Sequence, residues 1–473
     1  MSAPDPGADG PEPGTDDGTE TQTDGETEPS ATEAGHPAEP DSRPQWLTDI
    51  VLVGKVLVLT YVVFTLFGLA LGLDTNGIVS TLQQVTFFAA VYALLALSLN
   101  LHWGYTGLFN IGVAGFMAVG VYAMALLSSP GQGLGLPLWV GVIGGMIAAA
   151  LVGLVAALPA LRLRADYFAI VTLGLSEIIR LSLLSASLRS FEIGGQTLGT
   201  GGGSGISFPA VDGVIDYVLY TGGQRGADPA LLGSILFPLG ETVGVQSSVV
   251  RSSAYTLLLV VFVALFYLLL SRIAYSPFGR VLKAIREDEV AAQSLGKHTS
   301  LAKVKVFMLG CALMGLAGIL WQGSRGYVTP SQFMPIVTFY IFVALIVGGS
   351  GSNTGSIVGG LAFAAALWEG PPFVRRIVRA NVDVRAPTTI YDALTPLASL
   401  DPLPLLGYLV GNLDEIRFMI VGIVLILLML WRPAGLLGHR RETAAATDLS
   451  RRPGTGTGTG TGTTATDRGD LDE

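Results

Sequence analysis

The chain has 473 residues, half of them hydrophobic and only 13% charged, with a mean hydropathy of +0.57. That composition excludes an ordinary soluble enzyme. Several uncharged runs exceed the roughly 20 residues needed to cross about 30 Å of hydrocarbon, and lipid leaves helices as the way to satisfy such backbone, so an all-α polytopic membrane protein is expected.

The formal charge of −9 is unevenly spread. Residues 1–43 carry twelve acidic side chains against Arg43 alone, residues 439–473 carry one net negative charge, and the remainder is left at +3. Three parts follow: an acidic disordered tail over 1–45, a membrane body over 46–438 and a low-complexity tail over 439–473. Neither tail has the apolar content to fold. Lysine is scarce, five against 22 arginines, which with acidic tails suggests a high-salt, halophilic source. The first apolar run follows an acidic stretch of more than 40 residues, which is unlike a signal peptide. Cys311 is the single cysteine, so no disulfide or cysteine metal pair is expected. His36, His102, His298 and His439 are scattered without metal-ligand spacing, so no metal site is expected.

In chain order, spans are expected at 51–73, 78–101, 107–127, 136–158, 166–186, 254–275, 304–322, 335–348, 355–368 and 413–431, for eight to ten crossings. Gly348, Gly349, Gly351 and Gly355 interrupt the stretch 335–368, which reads either as two tilted helices or as one span with a re-entrant segment. Arg272, Arg280, Lys283, Arg286, Lys297, Lys303 and Lys305 make 272–305 the most basic short connection, and so cytoplasmic. Both termini then fall on the cytoplasmic side. Segments 187–253 and 369–412 become long outward loops, with Arg375, Arg376, Arg379 and Arg385 against the charge rule.

No catalytic constellation is legible. Gly296-Lys297-His298-Thr299 lacks the upstream glycine of a phosphate loop, Ala291 standing there, so no nucleotide site is expected, and if ATP powers this protein another chain must bind it. The stretch from Ser276 to Ser300 is more informative. Ser276 fits a helix N-cap, Pro277 the first helical position and Gly296 a left-handed end, while Val281, Ile285, Ala292 and Leu295 share a face. One short amphipathic helix, or two in sequence, is predicted, with Arg280, Lys283 and Arg286 preceding Glu287, Asp288 and Glu289 on the polar side. A solvated loop that only enforces topology is the alternative.

At this point the sequence resembles the membrane permease subunits of ABC importers for branched-chain amino acids, the LivM/LivH type. The matching blocks are LNLHWGYTGLFNIGVAGFMAVGVYA (99–123), LRLRADYFAIVTLGLSEIIR (161–180), SPFGRVLKAIREDEVAAQSLGKHTSLAKVKVFMLGCALMGLAGIL (276–320), VALIVGGSGSNTGSIVGG (343–360) and WRPAGLLG (431–438). They follow the family's order, and 161–180 looks more like LivM than LivH.

The resemblance implies that 46–438 is an ABC permease domain in the cell membrane, working by alternating access and not itself an enzyme. Its implied partners are a homologous permease, two cytoplasmic ATPases that bind ATP and magnesium, and an extracellular binding protein; this chain binds no cofactor and no nucleic acid. Ser276 to Gly296 becomes the segment that couples to an ATPase, with Ser276, Pro277, Gly279, Arg280, Ile285, Arg286, Glu289, Ala291, Ala292 and Gly296 as its candidate residues. Family coupling motifs carry Glu-Ala-Ala followed by glycine, and here Glu289 stands one position early.

The glycines Gly112, Gly115, Gly348, Gly349 and Gly351 then mark interrupted helices bordering a translocation path, with Asn110 and Asn353 as nearby polar groups. Helix packing is the rival explanation of the glycines. Glu177 lies deep in a span, with Arg180 one turn on as a structural ion-pair partner. The substrates implied are leucine, isoleucine and valine. Alternatives are urea or short amides on the same architecture, or an ion-coupled secondary transporter with Glu177 as its coupling carboxylate.

Overall fold

The computed structural model describes residues 45–160, 165–381, 387–432 and 435–437. The chain divides into two units, Met1–Thr48 and Asp49–Glu473. Of the first, only residues 45–48 are described; the expectations for residues 1–43, for Arg385 and for the C-terminal tail lie outside the described residues.

The first half is built from α1 (Gln45–Ala70), α2 (Thr75–Leu99), α3 (Val113–Ser128), α4 (Leu138–Ala160) and α5 (Ala165–Leu184). A connecting region follows with α6 (Ala186–Arg189), α7 (Val214–Leu219) and α8 (Leu231–Thr242). Then come α9 (Ser247–Ala274), α10 (Pro277–Glu287), α11 (Glu289–Ser294), α12 (Thr299–Gln322), α13 (Pro335–Gly348) and α14 (Asn353–Phe363). The chain ends in α15 (Gly370–Asn381), α16 (Ile390–Leu394), α17 (Leu403–Gly411) and α18 (Leu413–Trp431). Two small antiparallel pairs, Phe191–Ile193 with Gln196–Leu198 and Ile206–Ser207 with Tyr327–Val328, are the sheet structure among the described residues.

Seven helices among the described residues are long and apolar enough to span a membrane, and Val113–Ser128, Leu231–Thr242 and Pro335–Gly348 are shorter apolar helices. The fold class is therefore all-α and polytopic, as the hydropathy predicts. α2 and α12 form the centre: their apolar windows are the most buried of the seven. Close approach there depends on glycine. A Cβ at Gly120 would stand 2.6 Å from the Cα of Gly315 on α12, and one at Gly360 would stand 2.6 Å from the Ala93 nitrogen on α2. Backbones that touch at such positions gain dispersion contacts that lipid cannot supply differentially.

Three expectations are corrected. The stretch 335–368 forms two helices split at its glycines, but the second runs past 368: α13 is short, and α14 continues through a π-helical segment at Ala364–Glu369 into α15, giving a long candidate span over Asn353–Val378. Arg375 and Arg376 consequently sit on a helix and not in a loop, where Phe373 is buried beside Phe64 and the Arg376 guanidinium lies over the Phe373 ring, 5.9 Å from its centroid. Finally, 187–253 is not merely loop: α8 is apolar enough to pack Phe237 against Tyr220 of the preceding turn.

Candidate functional site

Two helix breaks lie at the sequence blocks rich in glycine. After α2 a π-helical turn at Asn100–Gly104 leads into irregular backbone that lasts until α3 begins at Val113. The second break separates α13 from α14. Gly349 (φ 107°) and Gly351 (φ 87°) turn the chain through conformations that L side chains rarely adopt, and Ser352 Oγ then accepts from the Gly355 nitrogen at 3.0 Å to cap α14.

The breaks are tied to each other. Asn100 Oδ1 accepts from the Gly351 nitrogen at 2.7 Å, while Asn353 Oδ1 accepts from Asn100 Nδ2 at 3.2 Å and from Tyr105 Oη at 2.9 Å. Asn353 Nδ2 donates in turn to Ser271 Oγ of α9 at 3.1 Å. Beside this knot is a polar cavity of about 170 Å³, lined by Asp49, Tyr105, Tyr267, Ser271, Arg286 and Asn353 among others. Tyr267 Oη donates to Asp49 Oδ2 at 3.0 Å, which brings α1 to the same place.

The amphipathic segment docks on this knot. α10 opens as predicted, with Ser276 Oγ accepting from the Gly279 nitrogen at 3.1 Å and Pro277 in the first turn. It closes at Asp288, whose carboxylate accepts from Val290 and Ala291 nitrogens at 2.8 and 3.0 Å and starts α11. Gly296 (φ 73°) follows in the left-handed region. Gly279 sits against the carbonyls at the end of α9, and Leu282, Ile285 and Ala292 are buried. Glu289 is held by Lys303 Nζ of α12 at 2.5 Å. The guanidinium of Arg286 donates to the carbonyl of Gly104, and a side chain at 351 would come within 3.0 Å of its Nη1. One arginine of α10 thus touches both breaks.

Leu295 departs from expectation. It is 78% exposed, with Val290 at 71%, because α11 is a separate helix on a new axis and the periodicity does not carry across Asp288. Arg280 and Ala291 are exposed as well. Tyr275, Arg280, Val290 and Leu295 are among the residues that this chain leaves uncovered on the segment.

The residues proposed to border a path are distributed differently. Asn110 is fully buried, its Nδ2 bonded to His102 Nδ1 at 3.2 Å and its Oδ1 accepting from the Gly112 nitrogen at 2.8 Å. His102 stacks on Phe307 with ring centroids 4.8 Å apart, its Nε2 3.2 Å from the Phe307 carbonyl, so it is a core residue. The free amides at the head of α3 already have partners: Ile111 N donates to Thr172 Oγ1 and Ala114 N to Thr338 Oγ1, each at 3.0 Å. Gly112 and Gly115 pack against α5, where a Cβ would meet the Thr172 carbonyl at 2.6 Å and the Ser176 Cα at 2.7 Å. Gly348 and Gly349 are covered from another side: Leu437 N donates to Gly348 O at 3.0 Å, and Gly435 lies on Gly349. In this conformation these groups stitch helices together, while Gly351 and Asn353 line the polar cavity.

Glu177 and Arg180 meet on α5, Nε to Oε2 at 2.8 Å and Nη2 to Oε1 at 2.5 Å. Sequence reading did not single out Asp49, Tyr267 or Ser271, whose polarity within apolar runs was the available signal. It also missed the paired charges at the other end of α9. There Asp212 and Asp216 take Arg251 and Arg225, with Arg251 Nη1 to Asp212 Oδ2 at 2.8 Å and Arg225 Nε to Asp216 Oδ2 at 2.9 Å. Burial alone would raise the Asp216 carboxyl, but hydrogen bonds from Arg251 and Arg225 hold it below its ordinary value.

The profile of the family described as "Branched-chain amino acid transport system / permease component" matches residues 81–368. The LivM permease of the high-affinity branched-chain amino acid transport system of Escherichia coli is 31% identical over 362 residues, covering 76% of this chain and 70% of its own. A probable LivM of Methanocaldococcus jannaschii is 24% identical over 394 residues, covering 76% of this chain and 94% of its own. The LivH permease of Escherichia coli matches over a shorter stretch, 30% identical over 152 residues, 32% of this chain and 48% of its own. No solved structure matches. The matched region holds both helix breaks, the segment docked on them and the α5 ion pair, and the chain belongs to the family of branched-chain amino acid transport permeases, of the LivM type.

Proposed function

We propose that this chain is one of two permease subunits in an ABC importer for leucine, isoleucine and valine, with a LivH-like subunit as its partner. Two ATPases that bind ATP and magnesium drive alternating access from the cytoplasmic side, and an extracellular binding protein delivers the solute. α10 and α11 are the segment that seats in an ATPase groove. On this reading the end of the molecule bearing α10 faces the cytoplasm, with both termini.

The observation that carries the reading is the placement of α10–α11. One side is covered within this chain, with Leu282 and Ile285 buried and Arg286 bonded to the Gly104 carbonyl at the first break, while Val290 and Leu295 are left apolar and exposed, as is the charged Arg280. Exposed apolar groups rimmed by charge are the surface of a protein contact. An ATPase that moves this patch moves Arg286, and Arg286 bears directly on Gly104 and on the backbone next to Gly351. Substrate selection then falls largely to the binding protein.

The test is a double substitution, Arg280→Asp with Val290→Asp, both on exposed positions, so the permease's own core is spared. Ile285 is unsuitable because it is buried. Membrane insertion should be retained, while ATPase recovery in pull-downs and leucine uptake into proteoliposomes should both be lost. Normal ATPase binding and uptake in that variant would refute the coupling assignment.

A further inference from the structure

Of the candidate spans, α1, α4, α5 and α9 are the least buried within this chain. Three of these, α1, α4 and α9, are the most apolar of all, as helices bathed in lipid should be. α5 is the exception: it is poorly covered yet has one of the lowest hydropathies among the spans. Its inner face is packed by Phe168, Thr172 and Ser176 against α3 and its surroundings. Its outer face carries Ile170, Gly174 and Ile178, and beside them the Glu177–Arg180 pair, whose side chains are 35% and 18% exposed.

Two features of that face do not suit lipid. The first is the carboxylate, which stands deep in the helix, on a stem too short to reach an interface, and remains partly uncovered; charge so placed is expensive in hydrocarbon. Lys55 on α1 is also exposed, but its long stem can carry the ammonium to the membrane surface. The second is Gly174. A Cβ there would meet nothing within 4 Å, so no neighbour among the described residues explains a residue that weakens the helix. Glycine at such a position permits another helix to approach closely.

We infer that the outer face of α5, centred on Gly174 and Ile178, is the surface on which the second, homologous permease subunit packs, with Glu177 and Arg180 at the seam. The inference rests on the heterodimer reading above and adds to it the surface involved. A membrane helix of like kind is the occupant that the observations fit: apolar contact at Ile170 and Ile178, close approach at Gly174, and polar partners available for the ion pair.

The test uses the full complex in native membranes, with its second permease and ATPases. A photo-crosslinking amino acid replaces Ile178, and Val58 on α1 serves as the control, since the two side chains are 62% and 61% exposed. The expected result is an adduct between the Ile178 probe and the second permease, and lipid adducts from Val58. In a second arm, Gly174→Leu should cut recovery of the second permease about tenfold, the scale of one badly seated large side chain in a packed interface. Gly174→Ala should show a smaller loss.

If α5 faces lipid, Gly174→Leu improves the helix and leaves assembly unchanged. That outcome, or lipid adducts alone from Ile178 while the second permease co-purifies, overturns the inference and leaves the heterodimer standing. An adduct between two copies of this chain overturns it as well. Absence of any second permease from the complex overturns the heterodimer reading and the interface with it.

Discussion

The two ends of α9 keep polar groups out of water in different ways. Near its start, Arg251 is fixed between Asp212 and Asp216, and Arg225 completes a network of formal charges. Some 20 residues later, about 30 Å along the helix, Ser271 joins Asn353, Asn100 and Tyr105 through neutral hydrogen bonds. A buried charge that loses its partner costs far more than a neutral group that exchanges one hydrogen bond for another. The charged end is therefore an anchor and the neutral end can rearrange. The segment that touches the neutral end, α10, is the one through which an ATPase would act.

Breaking the anchor should have the largest effect. Arg251→Leu strands Asp212 and Asp216 with only the half-exposed Arg225, and should cost about 3 kcal/mol of stability, at the lower bound for breaking a buried pair. Thermal unfolding of the purified protein in detergent reads this. Asn353→Leu removes the acceptor for two donors and the donor to Ser271, and should cost about 2 kcal/mol, since Ser271 and Tyr105 line the polar cavity and can reach water there. A larger loss at Asn353 than at Arg251 would reverse the assignment of anchor and movable end.

Acid sharpens the same contrast. Asp216 is held below its ordinary value in the folded protein, so its contribution is complete above the unfolded-state value and is lost as pH falls through the lower folded one. The stability gap between wild type and Arg251→Leu should therefore narrow in that acidic window. The gap between wild type and Asn353→Leu involves no titrating pair and should stay constant. A gap for Arg251→Leu that holds through strong acid would contradict the ion-pair account.

The smallest stability change is expected for Arg286→Ala. Its contact with Gly104 is partly solvated, so unfolding should shift by about 1 kcal/mol or less. Transport should fall much further, with the ATPase still bound. Uptake that tracks the small stability loss would mean Arg286 is only a surface contact.

How much of this was legible depends on the physics of each element. The spans were readable because lipid demands long uncharged runs, and Gly349 and Gly351 marked the second break because its turn needs positive φ. The cap at Ser276 and Pro277 was readable from local chemistry alone. The partners of Asp49, Ser271 and Asn353 were not, since they are brought together from four helices far apart in sequence. The face of α10–α11 was half legible: amphipathicity showed that Ile285 and Ala292 would be covered, but not that the permease itself covers them, nor that Asp288 restarts the helix and frees Leu295. The helix at Gly370–Asn381 was hidden by its arginines, which end the uncharged run expected of a span.

The central claim is tested most directly by leucine uptake into proteoliposomes that contain the purified complex and receive loaded binding protein from outside. The account predicts uptake only with ATP and magnesium inside, unaffected by collapsing proton and sodium gradients, and retained per assembled complex in Glu177→Gln. Uptake driven by an imposed gradient without ATP, and abolished by Glu177→Gln, would contradict it.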